Sequence, residues 1–182
     1  LGMAEAPGAA GHSPRRIAFH NDAGAGINAE ALRRTPRRGP RALAYLIGLA
    51  RVLLRFRAPQ FDLAVDGQPQ SGRYLIAIAM NGHYYGGGMR LAPSAQIDDG
   101  FFDLVMIEPM SLAAVIRRLP RLFNGRLEGD PAFRVLRCQT ATIRAEPACG
   151  IEIDGQDFGS TPITLKMLPG ALNVLDCRAS AE

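Results

Sequence analysis

Met80–Asp103, MNGHYYGGGMRLAPSAQIDDGFFD, is the stretch on which the reading of this chain turns. An apolar run, Tyr74–Met80, leads into it and a second, Phe101–Ile107, leads out, both with the length and composition of strands. Between them lie Gly82, Gly86, Gly87, Gly88 and Gly100, with Pro93 and the adjacent acids Asp98 and Asp99. Three consecutive glycines cost backbone entropy and offer nothing to pack, so they imply positive φ angles or the close approach of another backbone or a ligand. Asp98-Asp99-Gly100 puts carboxylate and carbonyl oxygens at one tight corner, the donor chemistry of a hard cation such as magnesium. The plainer readings are a structural hairpin and an ordinary Asp-Gly turn.

Working outward, 182 residues suffice for one domain with a proper core, and 47% hydrophobic with 21% charged residues is a globular balance. The net charge of +4 suits phosphate-bearing partners or an anionic membrane surface. It is too small an excess to argue for nucleic acid, and aromatic residues are not interleaved with basic ones as a single-strand binder requires. Cys138, Cys149 and Cys177 are odd in number and lack metal-ligand spacing, which fits free thiols in a reducing compartment. Leu1–Pro14, small and Gly/Ala-rich without an apolar run, is expected to be a flexible lead-in rather than a signal peptide.

From Arg15 onward the chain alternates short strands and turns. Arg15–Asn21 reads as a strand and Asp22–Glu30 as a Gly-rich turn entering a short helix; the lone Gly-x-Gly lacks dinucleotide or Walker spacing. Thr35–Gly39 is a basic loop, and Pro40–Phe56 has the i, i+3, i+4 apolar recurrence of an amphipathic helix. That helix is too short and too interrupted by arginine to span a bilayer. Its arginines could meet anionic headgroups, although packing on a sheet with the arginines in solvent is the plainer reading. Phe61–Asp66 and Arg73–Met80 read as a hairpin closed by Asp66-Gly67. Ser111 is placed to cap a helix through Phe123, with Pro120 expected to kink or end it and Asn124-Gly125 to stop it. The remainder offers strands at Phe133–Cys138, Thr140–Ala145, Ile151–Asp154, Ile163–Leu168 and Leu172–Asp176, separated by Pro/Gly turns. The pattern predicts a mainly β domain over residues 15–182, an antiparallel β-sandwich of about nine strands with two or three attached helices.

Asn81-Gly82-His83-Tyr84-Tyr85-Gly86-Gly87-Gly88-Met89, Leu91-Ala92-Pro93, Ala95 and Asp98-Asp99-Gly100 together resemble the C-terminal domain of bacterial diacylglycerol-kinase-like lipid kinases. These are relatives of sphingosine kinases and, more distantly, NAD kinases. The resemblance runs from about Ile17 to Asp176; Asn21, Gly24 and Gly26 fit an Asn-x-x-Gly-x-Gly segment of the family, whereas Asn28 stands where an aspartate is common. It implies a structural magnesium ion held by the Asp99 carboxylate and the backbone carbonyls of Gln96 and Phe101. It also implies a general-base glutamate after an Asp-Gly pair, and there this chain has Gln156, whose amide cannot take a proton. Asp154 and Asp157 are the nearest carboxylates. No Gly-Gly-Asp-Gly-Thr phosphate loop occurs in these residues, so ATP would be held by an N-terminal nucleotide-binding domain and this chain alone is expected to be inactive. The implied partners are that domain and a lipid substrate, with a homodimer and peripheral contact at the inner membrane face of a cytoplasmic enzyme also compatible. Gln156 favours an alternative, a non-catalytic lipid- or partner-binding module.

Overall fold

The computed structural model describes residues 1–7, 13–34, 50–127 and 129–173. In chain order the strands are β1 (Gly2–Ala6), β2 (Arg15–Phe19), β3 (Asp22–Gly26), β4 (Gln60–Val65), β5 (Gln68–Arg73), β6 (Ile76–Met80), β7 (Tyr84–Tyr85) and β8 (Met89–Arg90), then β9 (Phe102–Ile107), β10 (Phe133–Cys138), β11 (Thr140–Glu146), β12 (Gly150–Ile153), β13 (Gln156–Ser160) and β14 (Ile163–Met167). The labelled helices are α1 (Ile27–Arg34) and α2 (Leu112–Asn124), and residues 50–53 are also helical. Twelve strands form two antiparallel six-stranded sheets, ordered β2-β1-β14-β11-β4-β5 and β10-β9-β6-β3-β12-β13, while β7 and β8 pair only with each other. The expected antiparallel β-sandwich is therefore the fold, with more strands than the sequence pattern revealed.

Two apolar layers hold it together. Between the sheets, Phe19, Phe61, Ile143 and Leu165 of the first meet Phe102, Leu104, Ile151 and Ile153 of the second. The second sheet is apolar on its other face as well: Ile76, Ile78, Met80 and Val105 point outward and are covered by Leu122, Val52, Leu53 and the segment containing Tyr85, Met89 and Leu91. Burial on both faces explains why β6 is a continuous apolar run, and β9 one broken only by Asp103, instead of alternating.

Several expectations are corrected. Leu1–Pro14 is not all lead-in: β1 lies between β2 and β14, because Gly2, Ala4 and Ala6 are small enough to turn inward while Met3 and Glu5 face out. Residues 8–12 lie outside the described set. Asp22–Gly26 is no turn but a fully buried strand near the middle of the second sheet. Gly24 is there because a Cβ would sit 2.5 Å from both the Ala77 carbonyl oxygen and the Ile78 Cα. The hairpin partner of β4 is β5, not Arg73–Met80; QPQSGR is a polar edge strand with Pro69 in it and carries no apolar signal. Helix α2 continues through Pro120 to Asn124; the proline leaves the Ile116 carbonyl without its helical donor, and Ile116 is 56% exposed, so water can serve instead. Its ends are as expected, with Ser111 accepting from Ala114 N at 3.2 Å and Gly125 in the left-handed region at φ 69°.

The basic loop and most of the Pro40–Phe56 helix lie outside the described residues, as do Cys177 and residues 174–176; residues 171–173 are not strand. Cys138 is free and buried, and burial pushes its thiol up to about 12. Cys149, also free, is pushed up to about 11, so neither is a reactive thiolate.

Candidate functional site

The stretch Met80–Asp103 folds as the glycines require. Gly86, Gly87 and Gly88 have φ of 34°, 79° and 97°, which lets β7 and β8 close into a tight hairpin lying over the outer face of the second sheet. The fold buries Tyr85 and Met89 there and leaves Tyr84 outside. Helix α1, starting directly after β3, covers the neighbouring part of the same face and brings Asn28 beside Tyr85.

Under these two covers lie Glu152 of β12 and Asp22 of β3, 3% and 4% exposed. Glu152 Oε2 accepts from Asn28 Nδ2 at 3.1 Å and from the Tyr85 hydroxyl at 3.2 Å. Its Oε1 accepts from the Gly155 backbone N–H. One carboxylate thus ties the Asp154–Gln156 turn to the end of α1 and to the glycine hairpin. Asp22 Oδ1 accepts from Asn21 Nδ2 at 2.7 Å, and Asp22 Oδ2 is buried with no donor facing it among the described residues. Burial, and next the adjacent Glu152 charge, push the Asp22 carboxyl up to about 8. Burial raises Glu152 too, opposed by its hydrogen bonds from Gly155, Asn28, Asp22 and Tyr85. Two buried carboxyls side by side hold one proton between them near neutral pH.

Next to Asn28 and Tyr85 is an apolar cavity of about 80 Å³, enclosed by the outer face of the second sheet, Leu53 and α2. Ile76, Met89, Leu91, Ile107, Val115 and Leu122 supply most of its wall. Asn28, Tyr85 and Arg118 are the residues with polar groups along its wall, but the lining surface is almost wholly apolar; Arg118 is bound in a bidentate pair with Asp130 at 2.9 and 3.1 Å. Asn28 is 1% exposed, and its Oδ1 has no hydrogen-bond partner among the described residues. An unsatisfied buried acceptor beside an apolar cavity is costly.

The residues singled out in the sequence occupy two separate corners. At the first, Asp154 (φ 45°) accepts from the backbone N–H groups of His20, Asn21 and Asp22 at 2.9, 2.9 and 3.0 Å and meets His20 Nδ1 at 2.7 Å. Both its oxygens are committed to holding the β2–β3 connection. Asp157 forms a bidentate pair with Arg33 of α1 at 2.8 and 2.7 Å, which keeps its carboxyl below the usual range. It reaches that helix because Phe158 is skipped in the pairing of β12 with β13, a bulge that puts Asp157 opposite Glu152. Gln156 is exposed at the start of β13.

At the second corner, Asp99 Oδ1 accepts from Phe101 N at 2.8 Å and Oδ2 from Arg137 Nη2 at 2.7 Å. The Arg137 guanidinium also lies 4.6 Å from the centre of the Phe101 ring, and Gln139 Nε2 donates to the Gly100 carbonyl at 3.3 Å. Gln96 is exposed in the loop before this turn. The charge of Asp99 is already met by an arginine, which a divalent cation would have to displace, whereas the Gly100 carbonyl held by Gln139 is not one of the ligands that the resemblance implies. Magnesium is accordingly expected to leave the melting temperature unchanged, while Arg137→Gln, which frees Asp99 Oδ2, should make it magnesium-responsive through binding to the folded state. A magnesium-dependent rise in the unaltered chain that disappears in Asp99→Asn would instead put the ion where the resemblance implies.

Glu152, Asp22 and Tyr85 escaped the sequence reading. Ile151-Glu152-Ile153 alternates as a half-exposed strand does, which points Glu152 to solvent. Nothing local shows that α1 and the glycine hairpin cover that face.

The structure is a β-sandwich with a second apolar layer, a cavity in that layer and, behind Asn28 and Tyr85 of its wall, a buried acid pair. Comparison with known proteins makes the class specific. Residues 21–176 match the family described as the YegS C-terminal NAD kinase beta sandwich-like domain, and the chain belongs to that family. Over 134 residues it is 28% identical to a diacylglycerol kinase of Mycobacterium tuberculosis, spanning 73% of this chain and 43% of that protein. A diacylglycerol kinase of Bacillus subtilis is 24% identical over 77% of this chain and 46% of its own length. A probable lipid kinase YegS-like of Pseudomonas fluorescens is 31% identical over 72% and 43%. The chain thus spans less than half the length of these curated relatives. Among solved structures, a putative diacylglycerol kinase from Bacillus anthracis superposes with a TM-score of 0.65 at 18% identity, over 93% of this chain and 53% of that one, a likeness of fold.

Proposed function

We propose that this chain is the substrate-side domain of an ATP-dependent lipid kinase that phosphorylates the hydroxyl of a diacylglycerol-like lipid. The observation that carries the reading is the apolar cavity walled in part by Asn28, whose buried Oδ1 has no hydrogen-bond partner among the described residues. The walls have the apolar chemistry an acyl chain needs, the cavity would have to widen beyond about 80 Å³ to admit one, and a lipid hydroxyl would donate to Asn28. Glu152 fixes the Asn28 amide by accepting from its Nδ2, which leaves Oδ1 turned to receive that donor. The names of the relatives point the same way. ATP supplies the phosphoryl group, and its phosphates would be held by a nucleotide domain such as the longer relatives have room for. In phosphoryl transfer most of the catalysis is positioning and charge neutralisation, so a hydroxyl held in place is the contribution expected of this half. Gln156 can accept a hydrogen bond but not a proton, and this favours the second reading, a lipid-binding module without turnover.

A short-chain, soluble diacylglycerol titrated into the chain separates a lipid site from an empty packing defect. The expected result is saturable binding that is lost when Leu122→Trp fills the cavity. Asn28→Leu should bind about tenfold more weakly, the loss of one hydrogen bond. The same variant should no longer distinguish the diacylglycerol from its fully acylated analogue, which lacks the hydroxyl. Equal binding by the Leu122→Trp chain would place the lipid elsewhere.

A further inference from the structure

The apolar cavity does not end where the second apolar layer ends. Its wall residues follow the strand order across the outer face of the second sheet: Asn28, held over β12 by Glu152, then Ile76 on β6, Ile107 on β9 and Phe133 on the edge strand β10. Residues directly paired between two strands share a face. Phe133 pairs with Ile107 and Val135 with Val105, so both β10 side chains stand on that outer face. There the cover runs out: Val105 is fully buried, whereas Val135 beside it is 46% exposed. Val135 lines a groove of about 280 Å³ bounded by Leu91, Pro93 and Leu127, more than three times the volume of the cavity. Leu91 and Phe133 line both, so one layer of two side chains divides the cavity from the groove. Leu91 is buried, while Phe133 is half-buried at the first position of an edge strand, so Phe133 is the half of the divider with room to turn.

We propose that Phe133 sets the length of acyl chain this domain accepts: a short chain ends against its ring, and a longer one turns the ring aside and lays its terminal methylenes in the groove over Val135. This assignment rests on a lipid occupying the cavity, and it adds where the tail of that lipid goes. It also supplies the widening that a cavity of about 80 Å³ requires, by joining two apolar spaces that already share a wall. Each methylene that leaves water for the groove adds to the affinity, which makes chain length the quantity to vary.

A homologous series of straight-chain primary alcohols, hexanol to dodecanol, each kept below its solubility limit and titrated calorimetrically into the chain, tests it. In the parent the affinity is expected to rise about fourfold per methylene and to go on rising for the longest members. Val135→Glu, which puts a carboxylate in the groove, should leave hexanol binding unchanged and weaken dodecanol about fifteen-fold, the worth of two methylenes. Phe133→Trp, a larger divider, should stop the rise at a shorter chain, and Phe133→Ala should tighten only the long members. Val135 is exposed, so its variant should melt as the parent does; if a Phe133 variant is unstable, Val135→Glu carries the expectation alone. A Val135→Glu chain that binds dodecanol as the parent does, or that weakens hexanol and dodecanol equally, would overturn the proposal and leave a lipid in the cavity. If the parent binds no alcohol saturably, or if binding at every length survives Leu122→Trp, the cavity is not the lipid site, and the proposal falls with it.

Discussion

Gln156→Glu, in a chain joined to the nucleotide domain of one of the longer relatives, is expected to raise phosphoryl transfer to a lipid hydroxyl about a hundred- to ten-thousand-fold, the usual contribution of a positioned base. The structure narrows the reason. Of the other carboxylates at this turn, Asp154 is spent on three backbone N–H groups and His20, and Asp157 on Arg33. Glu152 is buried behind Asn28 and Tyr85. Gln156 is exposed at the start of β13, and a glutamate there could both reach out and titrate. The variant should show a rate that climbs with pH through a single carboxylate and then levels, a limb the parent lacks. Its stability should stay within about 0.5 kcal/mol of the parent, since the site is on the surface. Unchanged transfer with weaker lipid binding would favour the non-catalytic module. A parent that is already fast, and slowed by the substitution, would move the proton acceptor to another group, with Glu152 the first to test.

The second large effect is on stability, and its sign is unusual for the loss of a charged residue: Asp22→Asn should stabilise the protein in alkaline solution. In the folded chain the Asp22 carboxyl titrates near 8, against an ordinary 3.8. Over that interval the folded state keeps a proton that the unfolded state has released. Stability from this group is therefore complete in acid, declines as pH rises from about 4, and is fully lost above about 8. Asparagine places an amide N–H beside Glu152 where the protonated acid had its O–H, so it carries the favourable form to every pH. At about pH 9 the variant should exceed the parent by a few kcal/mol, on the order of 5–10 °C in Tm for a chain of this size, and at about pH 5 the two should nearly coincide. Comparing parent and variant at each pH cancels the titrating groups that do not interact with Asp22 and leaves the titration of the Asp22–Glu152 pair. A difference that does not depend on pH would mean that the two carboxyls do not share a proton.

Both predictions concern groups whose roles were unequally visible in the sequence. The Asp154-Gly155-Gln156 turn and the glycine hairpin were legible because glycine at positive φ has few substitutes, and Gly155 at φ 78° and Gly86–Gly88 are used that way. Strands β9, β11 and β14 were legible because apolar content and alternation are local properties. Strands β1, β3 and β5 were not: each is built of small or polar residues, and each exists through its partners. Gly24 looked like turn chemistry and is instead the point where β3 must pass against Ala77 and Ile78.

By itself, then, the sequence determined the antiparallel β-sandwich class and the glycine turns, because those follow from residue type and spacing along the chain, while the expectation of a base at Gln156 follows from the resemblance to the lipid-kinase family. Only the tertiary structure decided what the acids do. Asp154 became a clamp, Asp157 and Asp99 became partners of Arg33 and Arg137, and Glu152 and Asp22 became a buried pair behind Asn28 and Tyr85. The physical reason is that a carboxylate's chemistry is set by burial and by the donors around it, and those donors come from up to 134 residues away along the chain.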